Sequence, residues 1–477
     1  MKRRVLVFCF IFILIIMLLG FLPKKSNKQV ETVYFTSEMS QSKSASHPIA
    51  NGTFIQWWMV ERWTDEIWDR ECQILMEAGM RYIILAPTAF LRKDEATGHE
   101  RVLTIYTTQQ KDFGIMKDEN GLDYPDVVDA CLKSASKYGL KVFLGLNFSD
   151  EWWIKNNDAK WLQDRVREGN RVAEELWRLY RPVYGDTLYG WYWCWEVDDF
   201  YFRSGSLPDP KQVLADAIKA QIDFMEASGI RLPLMLSPYM DWRLGTPEGY
   251  GRMWEYVLAN SGLKAGDIFS PQDCIGSRKL TMNNFTRWFA QLRKAANIVP
   301  GLRLWANTET FDIRDWTSAP LKRVIRQMND VSPYVDDWVT FAYSHYYSPN
   351  VIMPGYHQTY TEYVKTGTLE EIPPSAPTGI TGKFLRDGQL QLSWEPSLDN
   401  VGVCGYYIFK NGYQIAKIQV LRANSPETVE GPATSVILEE MEIQSWETDV
   451  FEIQAFDFAG NVSDKAGLSG SCITHAQ

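Results

Sequence analysis

Gly190-Trp191-Tyr192-Trp193-Cys194-Trp195-Glu196 is an aromatic run that ends on a carboxylate, and Leu302-Arg303-Leu304-Trp305-Ala306-Asn307-Thr308-Glu309 ends the same way. Short apolar runs rich in aromatic and β-branched residues read as buried strands. Outward from these two, further runs predict strands at Thr53–Trp57, Tyr82–Pro87, Lys141–Asn147, Leu188–Trp195, Leu232–Ser237, Asp267–Pro271, Arg303–Thr308 and Trp338–Tyr343. Helical patterns fill the gaps. Trp68, Cys72, Leu75 and Met76 share one face before Gly79; Val127, Val128, Cys131 and Ala135 share another before Gly139; Phe285, Trp288, Phe289, Leu292 and Ala296 make a third. Eight strand–helix alternations predict an α/β fold, a (β/α)8 TIM barrel rather than a doubly wound open sheet. No G-x-G-x-x-G or P-loop motif follows a strand, which removes the usual nucleotide readings. The two glutamates then end strands four and seven. In a parallel barrel all strand C-termini open on one face, so acids far apart in the chain can converge there.

Composition narrows the partner. The chain has 477 residues, 45% of them hydrophobic, enough for one large domain and a smaller one. A net charge of −10 argues against nucleic acid, because no basic stripe exists to neutralise phosphates. Aromatics make up 14% of residues, and Trp57, Trp58, Trp152, Trp153, Trp195, Trp242 and Trp305 fall near predicted strand ends. Flat rings pack on the C–H faces of sugars, so such a rim favours a carbohydrate partner; large aromatics also fill large cores.

Met1-Lys2-Arg3-Arg4, the uncharged run Val5 to Leu22, and Lys24-Lys25 form an export signal at the boundary between cleaved and retained. Residues 1–25 are expected to anchor the chain in a membrane with its bulk outside the cytoplasm, or, if cleaved, to leave it secreted. Residues 26–49, rich in Ser, Lys, Thr and Gln, read as a tether. The barrel should occupy 50–370 and a proline-rich linker 371–377. Residues 378–474 alternate with period two, as in Gln389-Leu390-Gln391-Leu392-Ser393-Trp394, and carry the hairpin signal Asn411-Gly412. They predict an all-β, immunoglobulin-like sandwich. The seven cysteines show no C-x-x-C spacing, so no zinc or redox motif is expected. A Cys404–Cys472 bridge is left open.

Glycoside hydrolysis requires two carboxyl groups facing one bond. Glu196 follows aromatics whose low-dielectric walls would raise its pKa toward that of a general acid. Glu309, after Asn307-Thr308, is expected among hydrogen-bonding groups that favour its ionised form, which suits a nucleophile or base. Gln56, Asn147, Asp241, Asp273, Asn307, Tyr343 and His345 lie near strand ends and could bind sugar hydroxyls, with Trp57 and Trp195 as aromatic neighbours. Asp198 and Asp199 lie just past Glu196; Asp199 is a further candidate for binding substrate, and either would be the acid if strand four ended later. No residue set with metal-ligand spacing and no cofactor motif is found, so neither metal nor cofactor is expected. The segment from Phe90 to Asp123 is long for a βα loop and is expected to build a groove.

Gly52-Thr53-Phe54-Ile55-Gln56, Glu77-Ala78-Gly79, Gly139-Leu140-Lys141-Val142-Phe143-Leu144-Gly145-Leu146, Gly190-Trp191-Tyr192 with Glu196, and Asn307-Thr308-Glu309 carry a resemblance. This region resembles a glycoside-hydrolase-type TIM-barrel family of unknown function, analogous to clan A of the retaining glycosidases. The resemblance implies an extracytoplasmic glycoside hydrolase that cleaves O-glycosidic bonds of an oligo- or polysaccharide, with Glu196 as acid/base and Glu309 as nucleophile. That clan places an Asn before the acid/base, where Trp195 stands here, so its contact with the sugar 2-hydroxyl has no counterpart. The alternative is a non-catalytic carbohydrate-binding cell-surface protein on the same barrel. Pro377-Thr378-Gly379, Leu392-Ser393-Trp394, Asp399-Asn400-Val401-Gly402-Val403 and Ala455-Phe456-Asp457-Phe458-Ala459-Gly460-Asn461 resemble a fibronectin type III module, with Phe451 where such modules often carry a tyrosine.

Overall fold

The computed structural model describes residues 47–93, 100–118, 120–156, 158–199, 209–385, 389–420, 431–439, 449–468 and 473–475. The expected anchor at 1–25, most of the tether, and Cys472 lie outside the described residues. Among those described, no helix is long and apolar enough to cross a membrane.

Eight parallel strands close into a barrel: β1 (Gly52–Gln56), β2 (Tyr82–Ala86), β3 (Lys141–Gly145), β4 (Leu188–Trp193), β5 (Leu234–Leu236), β6 (Ile268–Phe269), β7 (Arg303–Glu309) and β8 (Asp337–Phe341). Each pairs with its neighbour in chain order, and β8 closes on β1 through Gly52 opposite Val339. Every expected strand is present, its ends within two residues. A helix follows each strand in turn: α1 (Asp65–Glu77), α2 (Val127–Tyr138), α3 (Ala159–Tyr184), α4 (Pro210–Ala227), α5 (Pro247–Asn260), α6 (Phe285–Ala296), α7 (Leu321–Val331) and α8 (Gly355–Thr366).

Local chemistry sets the helix ends. Asp126 accepts from the Asp129 N–H at 2.8 Å and starts α2, which stops at Gly139 with φ of 72°. Asp158 caps α3 by accepting from Trp161 N–H at 3.0 Å. Helix faces follow the periodicity, with Met76 as the exception: it turns outward from the Trp68–Cys72–Leu75 face.

Alternation along the strands makes two cores. Phe54, Ile84, Phe143, Tyr192, Met235 and Trp305 fill the barrel, while Trp68, Trp191, Trp254 and Trp288 fill the layer between strands and helices. Burial of a side chain such as Phe143 contributes about 1.5–3 kcal/mol. At Gly190 a Cβ would stand 2.2 Å from the Phe143 ring, so only glycine lets that ring lie across the barrel.

The long segment after β2 is a sheet of its own. Ala89–Lys93 pairs antiparallel with Glu100–Thr104, flanked by Gly114–Ile115 and by Asn147–Phe148. Buried Glu175 of α3 holds the chain beyond it, accepting from Tyr106 Oη at 3.0 Å, Thr108 Oγ1 at 2.9 Å and Gln109 N–H at 2.6 Å.

The C-terminal sandwich comprises β9 (Thr378–Phe384), β10 (Leu390–Glu395), β11 (Val403–Lys410), β12 (Tyr413–Gln419), β13 (Ser435–Leu438), β14 (Phe451–Asp457), β15 (Ala466–Gly467) and β16 (Ile473–His475). Its sheets run β13-β10-β9-β16 and β12-β11-β14-β15 around Leu390, Leu392, Trp394, Tyr406, Ile408 and Ile453. It packs on the barrel. Tyr356 stacks on Tyr347 at 4.8 Å, and its hydroxyl accepts from Gln419 Nε2 at 2.6 Å; the same Nε2 reaches the Ser318 carbonyl at 3.1 Å. The Lys322 N–H donates to the Ala459 carbonyl at 2.8 Å, and Lys417 Nζ donates to Thr317 Oγ1 at 2.7 Å. Cys404 is buried with a free thiol, 3.1 Å from Tyr356 Oη.

Candidate active site

Beyond β4 the chain stays extended, so Tyr192 and Cys194 face the barrel interior while Trp191, Trp193 and Trp195 face the helices. Glu196 continues the inward row at the mouth. It is partly exposed; its Oε1 accepts from Gln272 Nε2 at 3.2 Å, and its carbonyl accepts from Trp152 Nε1 at 2.7 Å. Burial raises its pKa above the usual carboxylate range, against the opposing pull of Lys279 and Gln272. Lys279 Nζ lies 3.6 Å from the centre of the Tyr239 ring, whose hydroxyl donates to Asp198 Oδ2 at 2.7 Å.

On β7 the inward row is Trp305, Asn307 and Glu309. Asn307 Nδ2 donates to Ser237 Oγ at 3.1 Å, and Gln272 Nε2 also reaches the Ser237 carbonyl at 3.4 Å. Gln272, Ser237 and Asn307 thus connect the two glutamate-bearing segments across the ends of β5 and β6. Glu309 is only 2% exposed, and its Oε2 accepts from the Ser277 N–H at 2.6 Å. Asp273 Oδ1 accepts from the backbone N–H groups of Ile275 at 3.2 Å and Glu309 at 3.3 Å; Oδ2 accepts from Gln327 Nε2 at 2.6 Å.

This arrangement corrects the expectation that Glu309 is ionised. Burial, and then the neighbouring Asp273 charge, push its carboxyl up to about 8, while burial lifts Asp273 to about 6. Asn307 turns to Ser237 rather than to Glu309, and the Cys274–Ser277 turn lies over the carboxyl and excludes water.

Other expected residues divide by environment. Gln56 and His345 meet at the mouth, the Gln56 N–H donating to His345 Nε2 at 3.1 Å while Gln56 Oε1 accepts from Trp58 Nε1 at 3.2 Å. Trp57 is half-buried edge-on against Phe90 at 4.7 Å. Asp241 is gripped by Arg243 at 2.8 and 2.6 Å, and the Asp241 N–H donates to Asp199 Oδ2 at 3.3 Å, so both shape the loops after β4 and β5.

Three residues turn away from the mouth. Trp195 is 3% exposed and packs among Phe148, Trp152 and Trp161 at 5.5–5.6 Å, because it alternates with inward Glu196. Asn147 leaves the barrel with the side sheet and donates to the Arg165 carbonyl of α3 at 2.8 Å. Tyr343 points behind β8, its hydroxyl 2.8 Å from His357 Nδ1. Among the expected rim tryptophans, Trp152 and Trp305 are also core, whereas Trp153 and Trp242 are half exposed.

Sequence reasoning overlooked Gln272, Ser277 and Lys279. All lie between β6 and α6, a connection whose length was the available signal. Among the described residues no group of three or more His, Cys, Asp or Glu is arranged to hold a metal ion.

A closed barrel of eight parallel strands, each followed by a helix, is of the TIM-barrel class. Residues 50–353 match the family described as Domain of unknown function (DUF4434), and the chain belongs to it. Chitinase Chi52 of Paenibacillus xylanexedens is 34% identical over 99 residues, 21% of this chain and 16% of that protein. Chitinase D of Niallia circulans is 36% identical over 98 residues, 20% of this chain and again 16% of the relative. The chain therefore matches only about a sixth of the length of these curated relatives. A solved structure of a candidate alpha-L-fucosidase from Bacteroides thetaiotaomicron VPI-5482 shares the fold at TM-score 0.50 and 19% identity, over 69% of this chain and 94% of that one.

Proposed function

We propose that the chain is an exported glycoside hydrolase that cleaves O-glycosidic bonds of an oligo- or polysaccharide with retention, anchored by its N-terminal segment or secreted if that segment is cleaved. The observation that carries this reading is the pair of glutamates at one mouth, Glu196 just beyond strand four and Glu309 at the end of strand seven, in different hydrogen-bond surroundings. Glu196, whose pKa is raised by burial, is the acid that gives its proton to the leaving glycosidic oxygen. Gln272 Nε2 then stabilises the carboxylate that remains. Glu309, in its ionised form, attacks the anomeric carbon. A glycosyl ester forms as the bond to the leaving oxygen breaks. Water, deprotonated by Glu196, then cleaves that ester and restores both acids.

The near-complete burial of Glu309 favours a second reading, a barrel that binds sugar without cutting it. Reducing-sugar release across a polysaccharide panel separates the two. The hydrolytic reading expects activity in the full chain, a fall of about 10²–10⁴-fold in Glu196→Gln, loss in Glu309→Gln, and a first product that keeps its anomeric configuration by proton NMR. Unchanged turnover in Glu196→Gln refutes the assignment; binding without release supports the second reading.

A further inference from the structure

An open cavity of about 490 Å³ lies on the strand-six and strand-seven side of the mouth. Its volume falls within the ~300–1,000 Å³ range of small-ligand sites. Trp242, Arg278, Thr281, Asp312, Arg314 and Arg323 line it. Trp242 is 52% exposed and offers a flat wall. Three guanidinium groups face one carboxylate there, in a chain whose overall charge is −10.

The charges are not equally engaged. Asp312 is held by Arg314 through contacts of 2.6–3.2 Å, which cancels one positive charge. Arg323 is fixed by donating to the carbonyls of Glu309 at 3.1 Å and Phe311 at 2.6 Å and to Gln327 Oε1 at 2.9 Å, and its charge is shared with the nearby carboxyl groups of Asp312 and Asp273. The Arg278 side chain has no partner among the described residues and is exposed, on a backbone with φ of 57°. Ile275 and Arg278 of the lining flank the turn whose Ser277 N–H holds Glu309, so the cavity borders the loop that covers that carboxyl.

We propose that this cavity is a subsite for a negatively charged sugar, and that the substrate is an acidic glycan whose carboxylate or sulfate pairs with Arg278 and Arg323 while a sugar ring packs on Trp242. A planar guanidinium fork matches the oxygens of a carboxylate or sulfate, and an indole face matches the C–H face of a pyranose. The inference rests on the glycoside-hydrolase reading of the same mouth and names its substrate class.

The test is calorimetric binding of the full chain to oligogalacturonate, to the same oligosaccharide after carboxyl reduction, and to a chondroitin sulfate oligosaccharide. A charged probe should bind about ten- to a hundredfold more tightly than the reduced one, as loss of a charge-assisted hydrogen bond requires. Arg278→Asn, which tolerates the left-handed backbone, should collapse that ratio toward one, and Trp242→Ala should weaken charged and reduced probes alike. Preference for the sulfated probe alone identifies a sulfate ester as the recognised group. Equal binding of charged and reduced probes, no binding of either charged probe, or a preference that survives Arg278→Asn overturns the proposal. Hydrolysis is scored separately. Tight binding of a charged probe with no hydrolysis of any glycan overturns the hydrolase reading alone, whereas hydrolysis of neutral glycans with no charge preference overturns the subsite alone.

Discussion

Replacing Glu309 with Gln should flatten the dependence of stability on pH. In the folded protein the Glu309 carboxyl keeps its proton up to about 8, whereas in the unfolded chain it ionises near its ordinary 4.5. Between those values unfolding releases a proton, so stability falls as pH rises through the window. The full displacement corresponds to at most about 5 kcal/mol, and water entering the mouth reduces this, so a loss of roughly 2–4 kcal/mol between pH 5 and pH 8 is expected. Gln has the shape of the protonated acid and retains an oxygen for the Ser277 N–H. Asp273 is raised by its own burial, so its contribution is common to both proteins. Urea unfolding followed by tryptophan fluorescence at pH 5, 6.5 and 8 measures this. Wild type and Glu309→Gln should have similar midpoints at pH 5 and diverge in favour of the variant at pH 8. A difference that stays constant across the three pH values refutes the idea of a buried, proton-holding Glu309.

Gln272→Ala removes the hydrogen bond that stabilises ionised Glu196. The pKa of the acid should rise further, moving the alkaline limb of kcat/KM to higher pH and lowering its maximum about tenfold; an unmoved limb would show that Gln272 does not act through Glu196. Gly355→Ala drives a Cβ to 2.3 Å from the Phe458 ring at the barrel–sandwich contact. It should cost about 1–3 kcal/mol, read as a lower urea midpoint, and an unaltered midpoint would mean that the contact does not persist in solution.

The eight strands were legible because each is a short apolar run with helical periodicity on either side, and the barrel follows from their number and alternation. Trp195 shows what strand ends alone do not convey. Period-two alternation puts it opposite Glu196, so the two cannot line one mouth, and its apparent exposure at a strand end dissolves into a cluster of aromatic rings. Asn147 escaped for a different reason: pairing of Phe148 with Phe90 draws the chain out of the barrel, and that partner lies in a separate hairpin. The protonation of Glu309 was not legible at all. It depends on Ser277 and Asp273, more than thirty residues earlier, whose turn closes over the carboxyl only when the barrel is assembled. Gln272 carries no motif, and only its place beyond the short β6 brings it to Glu196.

The proline-rich stretch at 371–377 reads like a seam at which modules are traded between genes. In the folded chain that seam is sealed. Asn461 Nδ2 donates to Glu370 Oε2 at 2.8 Å, Gln419 spans Tyr356 and Ser318, and the Phe458 ring lies against Gly355 at the start of the barrel's last helix. A foreign sandwich spliced in at the prolines would have to bring its own equivalents of Phe458, Gln419 and Asn461, or leave the eighth helix partly uncovered. The shared boundary of the two modules therefore constrains which recombinants can fold.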